Sequence, residues 1–369
     1  VSCARSIAAK VTCKTVQKPD DHGQFQHDWV IDRLVLLEKE DFKPIIALTN
    51  TVCGSCTGKV VYRNFLRHLH PRQVIDVQKE NLKPALQWID DYPEVDVRLV
   101  VAGGDGTISS VLETLEQFSR KPPMAVLPLG TGNDLSRVLG WGSGTDGDFN
   151  FLEYLNDVYA ADVQRLDRWN VMIKSKNQFG RRTVITNKKM SNYVSVGVDA
   201  SVTFGMQTTR KSIPKVLSSR LLNKFLFFSF GTKDVFTRTC KGLRENISLY
   251  LDDKLVELPG IEGLVFLNIP YWGAGVQPWK YAEEEYPQKI DDGVFEVGLA
   301  SPLFIGQARK AVVVTKNGSV LPMQWLKYFI CVGEQLKFSM FHDIVMEHEE
   351  EDSGGAVLLS AASRSVQAV

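Results

Sequence analysis

Two glycine-rich turns that contain acidic side chains are the part of this sequence best suited to chemistry. The first lies in VVAGGDGTISSVL, residues 100–112, and the second in AVLPLGTGNDLSRVLGWG, residues 125–142. Glycine allows a ligand to approach the backbone closely, and the N–H groups at the start of a helix bind phosphate. The turns therefore predict a phosphate pocket. Its predicted residues are Gly103, Gly104, Gly106, Gly130, Thr131 and Gly132.

Three polar side chains accompany these glycines: Asp105 in the first turn, and Asn133 and Asp134 in the second. Asp105 has two interpretations, a turn residue that accepts a hydrogen bond from nearby backbone and a functional carboxylate. Its glycine neighbours favour the functional interpretation, because perturbed carboxylates concentrate in ligand pockets. Asn133 and Asp134 are placed to cap the helix that follows the second turn.

The order of the predicted elements brings both turns to one edge of a sheet. Strand and helix patterns alternate from about residue 44 to residue 142. This alternation is typical of an open parallel sheet with helices on both faces, in which ligands bind at the carboxyl ends of the strands. After about residue 166, short candidate strands predict a second, β-rich domain. The predicted fold class is α/β, with these two domains in that order.

Composition limits the classes of partner. The chain has 369 residues, and its 43 Lys and Arg balance its 43 Asp and Glu. This balance argues against nucleic acid as a partner. The six scattered cysteines indicate a reducing compartment such as the cytoplasm, and no apolar run approaches the ~18 residues of a transmembrane helix. Composition leaves the oligomeric state open.

A Cys-x-x-Cys pair, Cys53 and Cys56, has several interpretations. It could be half of a zinc site or a redox pair, but no second pair with suitable spacing exists to complete a zinc site. The same segment is similar to a Walker A loop, yet it is one residue short and Val60 stands where that loop needs Ser or Thr. Both the zinc and the Walker A interpretations are therefore rejected.

The glycine turns and several further motifs resemble the diacylglycerol kinases, which transfer the γ-phosphate of ATP to diacylglycerol. The wider relatives of that family share GGDGT, and the longer second motif is similar to the diacylglycerol branch. The other matching motifs are LDRW at 166–169, NYVSVGVDA at 192–200, GTKD at 231–234, NIPYWGAGV at 268–276 and DDGVFEV at 291–297. The resemblance spans roughly residues 44–297.

The resemblance implies roles for particular residues. It implies ATP binding by Asn50, Gly54, Gly58, Gly103, Gly104, Gly106, Thr107, Gly130, Thr131, Gly132, Asn133 and Asp134. Asp105 would act in catalysis near Mg²⁺, directly or through water, and Asp292 would be the general base. Without the resemblance, Asp291-Asp292-Gly293 would be taken as a surface turn. Cys53 stands where the family has Ser, and a thiol donates hydrogen bonds weakly.

The resemblance also implies a function and a domain plan. The predicted reaction makes phosphatidic acid at the surface of a membrane that holds diacylglycerol, with transient peripheral contact. The alternatives are a sphingoid-base or ceramide kinase and a catalytically inactive lipid-binding relative. The predicted divisions are an N-terminal extension at 1–43, an ATP-binding domain at 44–165, a β-rich accessory domain at 166–346 and a disordered tail at 347–369. The extension, with Cys3 and Cys13, resembles a remnant of a cysteine-rich lipid-sensing module.

Overall fold

The structure is a computed structural model. It describes residues 11–19, 25–34, 43–53, 57–145, 150–176, 182–200, 240–280, 287–299, 304–316, 326–328, 342–348 and 356–361. The chain divides into two compact units, Val1–Gln164 with Val357–Val369, and Arg165–Ala356. The predicted domain boundary, between residues 165 and 166, differs from this division by one residue.

The N-terminal extension forms a two-stranded antiparallel ribbon. Its strands are β1 (Val11–Pro19) and β2 (Phe25–Leu34), with an irregular register between Thr12 and Cys13. Cys3 lies outside the described residues. The idea that this extension is a remnant of a cysteine-rich module therefore stays a prediction.

A mostly parallel sheet forms the centre of the first unit. Its strands lie in the order β4-β3-β5-β6-β19-β7, and β3, β5 and β6 are buried along their whole length. Their bounds are β3 (Ile45–Thr49), β4 (Val74–Asp76), β5 (Arg98–Gly103), β6 (Met124–Pro128), β7 (Asp162–Leu166) and β19 (Ala356–Ser360). Continuous burial explains why β3, β5 and β6 are apolar runs rather than alternating patterns.

Helices cover this sheet, as predicted. They are α1 (Thr57–His68), α2 (Leu82–Leu86), α3 (Trp88–Asp91), α4 (Asp105–Leu115), α5 (Asp134–Val138) and α6 (Phe151–Ala160). Phe65 of α1 and Phe151 of α6 pack edge to face, with ring centroids 5.2 Å apart, in a core that includes Val100 and Ala102 of β5. The alternate residues Leu99 and Val101 are fully buried on the opposite face. Between β4 and β5 the chain forms two short helices, α2 and α3, rather than one continuous helix.

The second unit is built from antiparallel sheets, so the predicted β-rich domain is confirmed. One sheet has the order β15-β14-β13-β10-β17 and the other β12-β11-β16-β18-β8-β9. The elements are β8 (Trp169–Lys176), β9 (Arg182–Met190), β10 (Tyr193–Gly197), α7 (Leu243–Asn246), β11 (Ile247–Leu251), β12 (Lys254–Val256), β13 (Gly263–Leu267), β14 (Phe295–Leu299), β15 (Phe304–Ala308), β16 (Lys310–Thr315), β17 (Leu326–Tyr328) and β18 (His342–His348). Trp169 and Phe295 pack edge to face, 4.6 Å apart, in the shared core.

The prediction of a disordered tail from residue 347 is wrong for the part of that tail the structure describes. Glu347 and His348 end strand β18, and β19 (Ala356–Ser360) lies between β6 and β7 in the parallel sheet. Leu358 and Leu359 are fully buried. The acidic and Ala/Ser-rich composition around this segment concealed a short apolar run. Burial of the side chains of this run stabilises β19 in the sheet.

Candidate nucleotide and catalytic site

Three loops leave the carboxyl ends of neighbouring parallel strands in the first unit. They follow β3, β5 and β6, which pair in parallel with one another, so the loops emerge at the same edge of the sheet. The predicted residues on them are Asn50, Gly58, Gly103, Gly104, Asp105, Gly106, Thr107, Gly130, Thr131, Gly132, Asn133 and Asp134. Gly54 lies outside the described residues. The predicted phosphate-binding residues that are described therefore occupy one region.

The second and third loops touch through their backbones. A Cβ added to Gly104 would lie 2.9 Å from Cα of Gly130, and one added to Gly130 would lie 2.6 Å from Cα of Gly104. The N–H of Leu129 donates to the carbonyl of Gly103, at 2.9 Å. Any side chain at either glycine would separate the loops. Close packing of two backbones explains why glycine is needed at both positions.

Asn50 connects the first loop to the second. Its backbone N–H donates to the carbonyl of Ala102, and its side-chain amide donates to the Thr107 hydroxyl, both at 2.9 Å. Because that hydroxyl accepts this bond, its own hydrogen can still be donated to a ligand. A Cβ on Gly58 would lie 2.1 Å from the carbonyl oxygen of Asn50, so the start of α1 also packs directly on this loop.

Asp105 caps helix α5 with its side chain, whereas Asn133 occupies the predicted N-cap position without contributing a side-chain bond. One carboxylate oxygen of Asp105 accepts the N–H of Asp134 at 3.3 Å, and the other accepts the N–H of Leu135 at 3.2 Å. The side chain of Asn133 makes no cap hydrogen bond to α5. A carboxylate from a different loop therefore accepts the first N–H groups of this helix. The spacing of residues in the sequence does not reveal this contact.

Asn133 instead fixes the shape of the third loop. Its backbone is left-handed, with φ of 54°. Its side chain accepts the N–H of Gly130 at 2.8 Å and donates to the carbonyls of Gly130 at 2.9 Å and Ser143 at 2.8 Å. Direct contact between Asn133 and a nucleotide stays a prediction, because the described contacts give this side chain a role inside the loop.

The carboxylates of Asp105 and Asp134 both lie beside Gly132. The position of a Gly132 Cβ would be 3.2 Å from an oxygen of Asp105 and 3.5 Å from an oxygen of Asp134. Both side chains are buried. Across the described ranges, no group of three or more His, Cys, Asp and Glu side chains could hold a metal ion. The protein thus offers a pair of carboxylates here, which fits an ion that a phosphate ligand and waters also coordinate.

We expect Gly130→Ala to lower stability by about 1–3 kcal/mol, the usual cost of forcing extra atoms into close packing. The added methyl group would lie 2.6 Å from Cα of Gly104 and 2.7 Å from the side-chain oxygen of Asn133. Thermal melting of the purified variant measures the effect. Gly260→Ala is the matched control, since a Cβ at Gly260 would meet nothing within 4 Å. Equal melting temperatures for the two variants would contradict the loop packing described above.

Sequence reasoning missed Asp76, which anchors the first loop. It ends β4, is almost fully buried, and accepts a hydrogen bond from the Thr51 hydroxyl at 2.8 Å. Lys79 forms an ion pair with it at 3.1 Å. Burial alone would raise the pKa of Asp76, but the hydrogen bonds from Thr51, Lys79 and the N–H of Gln78, together with the charge of Lys79, outweigh burial and lower it. The signal in the sequence is an acidic residue at the carboxyl end of an apolar strand.

The Gly140-Trp141-Gly142 segment also has a role that the sequence did not show. The indole N–H of Trp141 donates to the carbonyl of Leu359 at 2.6 Å, and the N–H of Ala361 donates to the carbonyl of Leu139 at 2.8 Å. The chain that leaves α5 is therefore bound to strand β19.

In the second unit, Asp292 lies in an exposed loop before β14. Its carboxylate accepts the N–H of Val294 at 3.0 Å. Although the side chain as a whole is exposed, partial burial of its carboxyl group raises the pKa of Asp292, and the negative charge of Asp167 raises it further. A carboxylate with a raised pKa is a stronger proton acceptor, as a general base requires.

Asp167 holds the loop of Asp292 in place. Its carboxylate accepts the N–H of Gly293 at 2.5 Å, and its own N–H donates to the carbonyl of Ile290 at 2.7 Å. Its carbonyl accepts a hydrogen bond from the Asn268 side chain at 2.7 Å, and Asn268 in turn accepts one from Trp169 at 2.7 Å. Three motifs that are far apart in the sequence, LDRW, NIPYWGAGV and DDGVFEV, therefore meet at one point.

The family of the chain follows from two matches in tandem. Residues 44–166 match the family model of the diacylglycerol kinase catalytic domain, and residues 189–317 match that of the diacylglycerol kinase accessory domain. Together they cover more than half of the sequence. The chain belongs to the diacylglycerol kinase family. The resemblance inferred from the motifs is confirmed.

Other members of the diacylglycerol kinase family are similar over most of this chain. "Probable diacylglycerol kinase 3" of Caenorhabditis elegans is 34% identical over 305 residues, 74% of this chain and 38% of that protein. Human "Diacylglycerol kinase theta" is 34% identical over 283 residues, 73% of this chain and 30% of that protein. The chain thus spans about a third of the length of these relatives.

Solved structures share the fold of this diacylglycerol kinase family member. Two structures of a Bacillus anthracis str. Sterne protein give TM-scores of 0.52 and 0.51, with 15% and 14% sequence identity. Each comparison covers 87% of this chain, and 98% and 99% of the other chain. At this identity the similarity shows the fold alone. The motif GTKD at 231–234 lies outside the described residues.

Burial of Glu296 predicts a pH dependence of stability for this family member. Glu296 is 2% exposed, and burial raises its pKa from 4.5 to about 7. Between these values the unfolded chain is ionised and the folded chain holds the proton, so stability falls as pH rises through about 7. The expected loss is on the order of 3 kcal/mol.

Melting temperatures between pH 4.5 and pH 8 test this expectation. Glu296→Gln keeps the size of the side chain and removes its ionisation, so its melting temperature should fall less over this range than that of the wild type. The highly exposed Glu257, whose side chain is 94% accessible, provides the control Glu257→Gln. If the melting temperatures of Glu296→Gln and of the wild type fall by the same amount between pH 4.5 and pH 8, Glu296 does not titrate as stated.

Proposed function

We propose that this chain phosphorylates diacylglycerol to phosphatidic acid, using ATP. The observation that carries the proposal is the meeting of three backbone-packed glycine loops beside the buried Asp105 and Asp134, in the unit that matches the diacylglycerol kinase catalytic domain. Phosphoryl transfer depends on positioning and on neutralising charge more than on covalent chemistry. A phosphate cradle next to a pair of carboxylates supplies both.

The glycine loops would bind the phosphates of ATP through backbone N–H groups. Gly104 and Gly130 carry no side chain to block that approach, and the Thr107 hydroxyl can donate a further hydrogen bond. Asn50 keeps the first loop against the second, while Asn133 keeps the third loop closed. These contacts fix the loops before the nucleotide arrives, which reduces the entropic cost of binding.

Mg²⁺ fits the carboxylates beside Gly132. The ion prefers one or two protein carboxylates together with substrate phosphates and water, and Asp105 and Asp134 would hold it. Bound there, Mg²⁺ would neutralise charge that builds up on the transferred group. Because Asp105 also caps α5, its carboxylate is already oriented by two backbone N–H groups.

Asp292 would accept the proton of the lipid. As the hydroxyl oxygen of diacylglycerol bonds to the γ-phosphorus, its proton moves to the Asp292 carboxylate and the bond from phosphorus to the oxygen shared with ADP breaks. The raised pKa of Asp292 suits this transfer. Asp167 keeps the loop of Asp292 in a single position through the N–H of Gly293.

The proposed substrate is held in a membrane, so the protein would have to make peripheral contact with a lipid surface. None of the described helices has the length and apolar character needed to cross a bilayer. A surface contact that forms and breaks is consistent with a reaction whose other substrate, ATP, is dissolved in water.

Transfer of labelled phosphate from ATP tests the proposal. Mixed micelles that contain diacylglycerol, sphingosine or ceramide are each incubated with the protein, Mg²⁺ and γ-labelled ATP. We expect label on diacylglycerol in preference to both sphingolipids. Equal or greater label on a sphingolipid would place the chain among the sphingolipid kinases, and no label on any lipid would support a catalytically inactive relative.

A further inference from the structure

His348 contacts the carboxylate that holds the loop of the proposed base. Its Nε2 lies 3.1 Å from Oδ1 of Asp167, whose other oxygen accepts the N–H of Gly293. The His348 ring also packs against Trp169, its neighbour on β8, with centroids 4.8 Å apart. One carboxylate thus connects His348 to the residue that follows Asp292.

His348 comes from a part of the chain that neither family model covers, since the accessory-domain match ends at residue 317. It ends strand β18, which pairs with β8 and places its imidazole beside Asp167. The contact has the length of an ion pair but not the alignment of a hydrogen bond. Charge, rather than hydrogen-bond direction, is therefore the basis of its effect.

We propose that His348 is a positioning residue for Asp292 that acts through Asp167, and that its imidazolium form offsets the negative charge of Asp167. This proposal rests on the role of Asp292 in the proposed function. The negative charge of Asp167 raises the pKa of Asp292 and so opposes its ionisation. A cation paired with Asp167 reduces this effect. His348 would thereby keep Asp292 ionised and able to accept a proton.

Other charged groups surround this pair. Lys289 lies on the loop of Asp292, Glu296 lies on β14, and Arg168 follows Asp167 in the chain. On the strand of His348, Glu347 forms an ion pair with Lys310 at 3.5 Å. These groups are the same in all the variants proposed below, so differences between the variants report the charge at position 348.

The dependence of kcat/KM for diacylglycerol on pH tests the link to Asp292, because its acid limb reports ionisation of the free enzyme. His348→Gln removes the cation and should move the acid limb to higher pH by roughly half a unit, the scale of a partly exposed ion pair. His348→Lys restores a cation and should return the limb to its wild-type position. KM for ATP should be unchanged in both variants.

A purely structural role would lower activity by the same factor at every pH, and Lys would not reverse the change. If Gln and Lys leave the limb unmoved, or move it in the same direction, the proposal is overturned.

A cycle of melting temperatures separates this proposal from the proposed function, since it needs no activity. Wild type, His348→Gln, Asp167→Asn and the double variant are melted at pH 5.5. If the two side chains are coupled, the losses in melting temperature should be non-additive by about 1–2 °C. Additive losses at pH 5.5 would overturn the role of His348 even in an active enzyme. If the melting temperatures show this coupling but the protein does not phosphorylate lipid, only the proposed function is refuted.

Discussion

Asp105→Ala is expected to lower the rate of phosphate transfer by ~10²-fold or more, the usual loss when a group that stabilises charge in the transition state is removed. Asp105 has two functions in this account. Its carboxylate lies beside the loops proposed to hold the phosphates, and it accepts the first N–H groups of α5. The variant should therefore also lose about 0.5–2 kcal/mol of stability, the value of a helix N-cap.

Asp90→Ala separates these two effects. The carboxylate of Asp90 likewise accepts two backbone N–H groups, those of Ser119 and Arg120, at 3.0 and 3.1 Å. Asp90 lies on α3, which contributes no residue to the phosphate loops. Its loss should lower the melting temperature but leave kcat within a few-fold of wild type. Equal kinetic losses in the two variants would mean that Asp105 acts through stability alone.

Asp292→Asn should lower kcat by ~10²–10⁴-fold, the contribution of general base catalysis, and should leave ATP affinity nearly intact. The amide keeps the size of the side chain and an oxygen that can accept the N–H of Val294, but it cannot take a proton from the lipid. Loss of kcat without loss of ground-state binding is the pattern of an interaction made in the transition state. Calorimetry with a non-hydrolysable ATP analogue, beside measured kcat, gives both quantities.

The neighbouring Asp291→Asn is the control for this variant. Asp291 is exposed in the same loop and carries the same charge, so a general loss of negative charge would affect both variants equally. We expect Asp291→Asn to retain most of kcat. If Asp292→Asn instead loses ATP affinity in proportion to its rate, Asp292 belongs to the phosphate site and Asp105 or Asp291 becomes the candidate base.

Local patterns in the sequence predicted the parallel sheet and the position of its loops. Apolar runs such as β5 and β6, each followed by a glycine turn, carry this information within a few residues, so the strand, the turn and the start of the helix could be inferred together. The region after residue 166 was predicted as β-rich for the same reason, because strands such as β11 and β13 are short apolar segments between turns.

Contacts between distant residues were not predictable in this way. The cap of α5 comes from Asp105, 29 positions before Asp134, and nothing in the spacing of Asn133 and Asp134 indicates it. The tail strand β19 depends on contacts with Trp141 more than 200 positions earlier. Asp167 and Gly293 meet across 126 positions. In each case tertiary contacts, rather than local propensity, determine the structure.

In the proposed reaction, the hydroxyl oxygen of diacylglycerol attacks the γ-phosphorus of ATP on this protein. The most direct test is a reaction with ATP whose γ-phosphate has ¹⁸O at its three non-bridging oxygens, followed by mass spectrometry of the lipid. The expected product is phosphatidic acid that carries all three ¹⁸O atoms and the unlabelled ester oxygen of the lipid, formed at a rate reduced strongly by Asp105→Ala and Asp292→Asn. Labelled inorganic phosphate without labelled phosphatidic acid, or labelled lipid formed equally well by both variants, would contradict it.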